Sequence, residues 1–232
     1  MSIRENIEHI NKMKAEAAKR SGRESEEITL IAVTKTYGTE DINEAIDAGI
    51  KDIGENKVQE ILDKFENVKP VRWHMIGHLQ TNKVKYIIDK VSMIHSVDSL
   101  RLAEEISRRA AGAGKVMDVL IQVNPAMEES KFGVAAEETE TLIHQILDTC
   151  PNVRICGLMS IVPYDENPEN IRKYFTQVKK IYDRCQSGKD NRLNFRYLSM
   201  GMSHDFQEAI EEGANMIRVG TAIFGARNYS IK

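Results

Sequence analysis

The sequence predicts a single closed (β/α)8 barrel of the TIM type, an α/β fold. Short β-branched or apolar runs alternate with amphipathic stretches eight times without a break, and an unbroken alternation of this kind builds a parallel sheet. The 232 residues are close to what one such barrel takes. No Pro/Gly/Ser-rich linker, internal repeat or low-complexity segment divides the chain, so one domain over 1–232 is expected. An open doubly wound sheet is the alternative. Against it, the turn after the first strand reads VTKTYG, with a lysine where a dinucleotide fold places glycines.

A charged helix at about 3–21 comes first. The strands follow as ITLIAVT (28–34), KDIG (51–54), VRWHMIG (71–77), VSMIHSV (91–97), MDVLIQV (117–123), VRICGLM (153–159), FRYLSM (195–200) and NMIRVG (215–220). Helical periodicity fills the gaps at about 39–48, 56–67, 79–89, 98–113, 136–149, 168–187 and 203–213. Thr39 with Glu40 and Asp41 opens one helix that Gly49 ends, and Ser203 with Asp205 opens another that Gly213 ends.

Composition narrows the function. A hydrophobic fraction of 41% beside 29% charged residues supports a large core and excludes wholesale disorder. Lys and Arg number 32 against 35 Asp and Glu, a net charge of −3, so nothing global attracts nucleic acid or an acidic membrane. Any anion site must be local. No apolar run reaches the ~18 residues that cross a bilayer, and the polar start is no secretory signal, so a cytoplasmic protein is expected. The sequon Asn228-Tyr229-Ser230 is then without consequence. Cys150, Cys156 and Cys185 lack CxxC or metal-ligand spacing and read as ordinary half-buried thiols. The run RAAGAGKV fails as a P-loop at Arg109 and at Val116. His74 and His78 have the spacing of a zinc-binding pair but lack the intervening glutamate, so no metal site is expected.

In a barrel the chemistry sits at the carboxyl ends of the strands. Read in order, the residues there are Lys35; Glu55, Asn56 and Lys57; His78; Asn124, Ser130 and Lys131; Ser160; Ser199 to Ser203; and Arg218, Gly220 and Thr221. This mouth is polar, amide-rich and locally basic. Lys35 closes the apolar strand LIAV, where desolvation and nearby cations lower an amine's pKa and make it a Schiff-base nucleophile. A strand-end lysine snorkelling to solvent is the other reading. The runs LSMGMSHD (198–205) and IRVGTAIFG (217–225) follow the seventh and eighth strands, the usual place for a barrel phosphate site. Turn glycines and a plain Ser203 N-cap would also explain them. A Schiff-base lysine diagonally opposite a phosphate cradle is the more specific pairing, and it suggests a phosphorylated carbonyl ligand.

These residues resemble the pyridoxal 5′-phosphate (PLP) homeostasis proteins, which are similar to the barrel domain of alanine racemase standing alone. The resemblance runs through IAVTKT (31–36), AIDAGIKDIGENKVQE (45–60), WHMIGHLQTNK (73–83), HSVDS (95–99), VLIQVN (119–124), ESKFG (129–133), GLM (157–159), LSMGMSHDFQEAI (198–210) and RVGTAIFG (218–225). It implies Lys35 as the Schiff-base lysine, phosphate on the loops around Ser203, Gly220 and Thr221, and further cofactor contacts from Asn56, Ser199 and Met202. It also implies Arg218 facing the pyridine nitrogen. A guanidinium there cannot accept that nitrogen's proton and leaves the ring a weaker electron sink; an Arg paired with a carboxylate is the alternative.

The resemblance implies a cofactor carrier or regulator without established turnover, since the length matches the barrel without the racemase domain that supplies a second base. An amino-acid racemase with a substitute base, or a Schiff-base aldolase, is the competing class. The implied partners are PLP and PLP-dependent apo-enzymes, not nucleic acid or membrane, and a monomer is expected. Tyr37, Gly38 and Lys57 depart from residues common in the family, which puts a second-lysine relay near Lys35 in doubt, whereas Lys131 matches a typical family lysine. His78 is a further candidate for the mouth.

Overall fold

The computed structural model describes residues 1–128, 131–165, 167–186 and 190–225. Its strands are Thr29–Val33 (β1), Asp52–Glu55 (β2), Arg72–Met75 (β3), Met93–Val97 (β4), Met117–Asn124 (β5), Val134–Ala135 (β6), Val153–Ser160 (β7), Leu193–Ser199 (β8) and Met216–Val219 (β9). They pair in parallel in the order β4-β3-β2-β1-β9-β8-β7-β5, and a further β4–β5 pairing closes the ring. Only β6, two residues added to β5, stands outside it. This is the (β/α)8 barrel that the alternation predicts, and the eight predicted strands are the eight that close.

The helices are Ile3–Arg20 (α1), Thr39–Asp47 (α2), Val58–Lys64 (α3), Leu100–Gly112 (α4), Thr139–Thr149 (α5), Pro168–Cys185 (α6), Phe206–Glu211 (α7) and Thr221–Phe224 (α8). Helix α1 opens on a capping box in which Ser2 and Glu5 satisfy each other's backbone N–H. Gly49 and Gly213 follow α2 and α7 with φ of 104° and 103°, the left-handed geometry of helix-ending glycines.

Two helix predictions need correction. The stretch 79–89 forms only a 3-10 helix, Thr81–Tyr86; Val84 and Ile87, three apart and fully buried, meet the core as well on a three-residue repeat. Helix α2 opens at Thr39 with Glu40 and Asp41 in its first turn, as predicted, behind Gly38 in the N-cap position. Ser203 opens no helix: α7 begins at Phe206 behind Asp205, and the Ser203 hydroxyl accepts from the Gly220 N–H at 3.3 Å instead.

Strand alternation divides the core in two. Ile31, Met93, Leu120, Cys156, Met159 and Met216 face inward and fill the barrel. Their sequence neighbours, such as Ala32, Ile94, Val119 and Ile217, face outward and pack under the helices in one continuous layer. The three cysteines are free and buried rather than half-buried. Gly157, in the middle of β7, has φ 141° where the register between β7 and β8 shifts, and a Cβ there would lie 1.8 Å from the Tyr197 carbonyl oxygen.

Gly157→Ala is therefore expected to cost about 3 kcal/mol, from strained backbone and collision together. At Gly112, which closes α4 with open space around it, alanine is expected to be neutral or stabilising by under ~1 kcal/mol. Urea denaturation of both variants measures the contrast.

Candidate functional site

Lys35 leaves the end of β1 at the barrel mouth, half-buried, in step with the inward residues Ile31 and Val33. The backbone around it is tightly held. Thr36 takes φ 71°, an uncommon conformation for a β-branched residue, and its N–H donates to Glu60 Oε2 at 2.6 Å. On the other flank the Thr34 carbonyl accepts from Lys64 Nζ at 2.9 Å. The same ammonium donates to Glu55 Oε1 at 2.7 Å and to Glu60 Oε2 at 2.9 Å, which uses its three protons. Burial pushes the Glu55 carboxyl up in pKa, with Lys64 opposing; Glu60, despite burial, is held down by the Thr36 N–H and by Lys64. Helix α3 thus grips the turn that carries Lys35.

The loops after β8 and β9 come to the same side. Gly201, with φ 91°, brings the chain against α7 so closely that a Cβ would lie 2.6 Å from the Ala209 Cβ. Asp205 Oδ1 accepts from the Met202 N–H, so the structure does not offer that N–H to an anion. Among the described residues, the N–H groups of Ser203, Thr221 and Ala222 have no hydrogen-bond partner. A Cβ on Gly220 would sit 3.2 Å from Val33, which shows how closely this loop approaches β1.

The register Ile31↔Arg218 and Ala32↔Val219 sets Gly220 beside Val33. Lys35 and the glycine-rich loop therefore rise from neighbouring strands, not diagonally across the mouth, because the ring closes with β1 beside β9. Tyr37 fastens the seam above them. Its hydroxyl donates to the Gly225 carbonyl at 2.8 Å, and its ring stacks on Phe224 at 4.6 Å.

Arg218 lies beneath this seam, 4% exposed. It donates to Ser199 Oγ at 2.7 Å and to the Ser160 carbonyl at 2.8 Å, which engages two of its five N–H bonds. Burial lowers its pKa to about 10, with Asp205 opposing, so the guanidinium stays charged at neutral pH. Buried Asn56 Oδ1 and Ser160 Oγ, at the ends of β2 and β7, have no hydrogen-bond partner among the described residues. Buried polar atoms are ordinarily paired, so these two positions suit a further polar partner.

Other predicted residues lie further out. Thr221 is exposed at the start of α8. His78 stacks on Phe132 at 3.8 Å and, with Asn56, Lys57 and Lys83, lines a cavity of about 490 Å³ beside the mouth. Lys131 is half-buried in a loop whose carbonyls at Glu128 and Lys131 accept from Asn124 Nδ2. Ser130 and the sequon at 228–230 lie outside the described residues. No group of three metal-ligating side chains occurs among the described residues. Sequence reasoning missed Glu60 and Lys64, whose contacts with the turn are tertiary, and it treated His74 only as half of a failed zinc pair. His74 instead bonds His95 inside the barrel, Nδ1 to Nε2 at 3.0 Å; the spacing of His95 two residues after inward Met93, with outward Ile94 between them, was the available signal for an inward His95.

A lysine turn, a glycine loop and a buried arginine lie on one seam of the barrel, and the family model for the alanine racemase N-terminal domain matches residues 3–228. An alanine racemase from Clostridium difficile 630 superimposes with a TM-score of 0.74 over 99% of this chain and 58% of its own; at 14% identity this shows the fold alone. The "Pyridoxal phosphate homeostasis protein" of Aquifex aeolicus is 45% identical over 231 residues, 99% of this chain and 100% of the relative. PipY of Synechococcus elongatus PCC7942, solved with PLP bound, is 31% identical with a TM-score of 0.84, covering 97% of this chain and 100% of PipY. The chain belongs to the pyridoxal phosphate homeostasis protein family.

Lys64→Met is expected to destabilise the fold by about 3 kcal/mol, because it strands buried Glu55 without its cation. The double variant Lys64→Met/Glu55→Gln is expected to recover part of that loss in urea denaturation, as the fully buried charge is then gone and only the more exposed Glu60 is left without its cation.

Proposed function

We propose that this chain binds PLP at the barrel mouth as a Schiff base on Lys35 and serves PLP (vitamin B6) homeostasis in the cytoplasm without substrate turnover. The observation that carries this reading is the β1–β9 seam, which gathers Lys35, the Gly220 loop and Arg218 on adjacent strands. The names of its relatives and the PLP-bound PipY structure support it.

The residues present fit the cofactor. The unpartnered N–H groups of Ser203, Thr221 and Ala222 suit the phosphate, and Lys35 suits the aldehyde. Asn56 Oδ1 and Ser160 Oγ are buried polar atoms awaiting a ligand group. When bound, PLP supplies an aldehyde for imine formation and an electron-withdrawing ring. Arg218 would offer the ring nitrogen a hydrogen-bond donor and could not take up its proton, an arrangement that would not favour carbanion chemistry. PLP-dependent apo-enzymes are the proposed recipients of the cofactor.

Purified protein loaded with PLP is expected to show a visible Schiff-base band that borohydride bleaches, with the reduced adduct mapped to Lys35 by mass spectrometry. Lys35→Ala is expected to lose the reducible adduct; a variant that keeps it, or an adduct on Lys131 in the wild type, counts against the assignment. Deuterium exchange at the Cα of amino acids near ~10 per second would assign racemase-type turnover instead.

A further inference from the structure

A line of buried polar side chains crosses the barrel interior from the floor to Arg218. At the floor, Arg72 grips Asp52 with two bonds, Nε to Oδ1 at 2.6 Å and Nη2 to Oδ2 at 2.5 Å. Asp52 Oδ1 meets His74 Nε2 at 2.9 Å, His74 Nδ1 meets His95 Nε2 at 3.0 Å, and His95 Nδ1 meets Ser199 Oγ at 3.3 Å. Ser199 Oγ then accepts from Arg218 at 2.7 Å. Asp52, His74, His95, Ser199 and Arg218 come from five strands, β2, β3, β4, β8 and β9, and none is more than 4% exposed.

The bonding pattern has one direction. Despite burial, hydrogen bonds from His74 and Arg72 hold the Asp52 carboxyl below its ordinary range, so it accepts and His74 Nε2 carries a proton. With a single proton on the His74 ring, Nδ1 is left as an acceptor, and His95 then carries its proton on Nε2. Burial above all, with the Arg218 cation adding to it, holds His95 well below the usual imidazole range, so the ring is neutral; with its proton on Nε2, its Nδ1 accepts from the Ser199 hydroxyl. That commits the Ser199 proton downward and turns the oxygen lone pairs toward Arg218.

We propose that Asp52, at the opposite end of the barrel, is a positioning residue for Arg218, acting through the fixed tautomers of His74 and His95 and the fixed hydroxyl of Ser199. The inference rests on the cofactor reading only in giving Arg218 its ring partner. Without Asp52, His74 is released to carry its proton on Nδ1. His95 would then accept on Nε2 and carry its proton on Nδ1, and Ser199 Oγ would face two donors at once. No net proton is gained or lost; the polarity of the whole line reverses.

The ligand-free protein tests the line directly by ring-nitrogen NMR at neutral pH. Both histidines of the wild type are expected neutral and protonated on Nε2; a cationic ring or an Nδ1-protonated His95 overturns the proposal. Asp52→Ala is expected to move His95 toward the Nδ1 form, while Asp52→Asn, which keeps an acceptor oxygen, retains the wild-type tautomer. With nitrogen-labelled PLP bound, Asp52→Ala and the smaller change Ser199→Ala are both expected to shift the pyridine nitrogen resonance and to weaken binding about tenfold, while Asp52→Asn leaves both near wild type. An unmoved pyridine resonance in both alanine variants overturns it. Wild-type protein that takes up no PLP overturns the cofactor reading instead, while the ring tautomers still decide whether the line is directional.

Discussion

The mouth of this barrel depends on where one ammonium sits. Lys64 is taken almost wholly out of water, and that placement is tolerable only because each of its protons finds an oxygen: the Thr34 carbonyl, Glu55 and Glu60. Two of those acceptors bear on the turn after β1. Thr34 belongs to it, and Glu60 also holds the Thr36 N–H, so satisfying the lysine fixes both flanks of Lys35. The left-handed Thr36 is strain that an isolated turn would relax; α3 prevents it from doing so.

The interior obeys a similar rule with different chemistry. A barrel core of this size is ordinarily filled by apolar layers, and here Ile31, Met93, Leu120, Met159 and Met216 do part of that filling. The rest is a polar line whose members bond to one another and end on ionised partners, Asp52 with Arg72 below and Arg218 above. Interrupting such a line leaves buried polar groups without partners, which is more costly than never having had them. Five strands are thereby locked in mutual register by side chains as well as by the sheet.

Local chemistry made much of this legible in the sequence. The ring strands could be read because runs such as ITLIAV and MDVLIQV alternate or stay apolar over a few residues, and Gly49 and Gly213 mark helix ends through their own backbone freedom. Lys35, Gly220 and Arg218 could be placed at one mouth because strand ends define it. What escaped was set by partners distant in sequence. Ser203 has the form of an N-cap, yet its hydroxyl serves Gly220, seventeen residues on. Lys64 has the form of an ordinary last-turn helix lysine until Glu55 is seen to face it. His74 and His95 disclose nothing alone, since their pairing exists only once β3 lies beside β4.

The seam fastened by Tyr37, Phe224 and Gly225 joins the first strand of the ring to the last. During synthesis β1 emerges early, but its partner β9 comes nearly two hundred residues later, so Lys35 waits with one edge of its strand bare while most of the barrel is made. The closing contact has among the greatest sequence separations in the fold, and it forms against one of the larger loop-closure entropies. A ligand that touches both sides of that seam therefore does more than occupy a pocket: by mass action it latches the ring shut, and the stability of the closed barrel rises with its concentration.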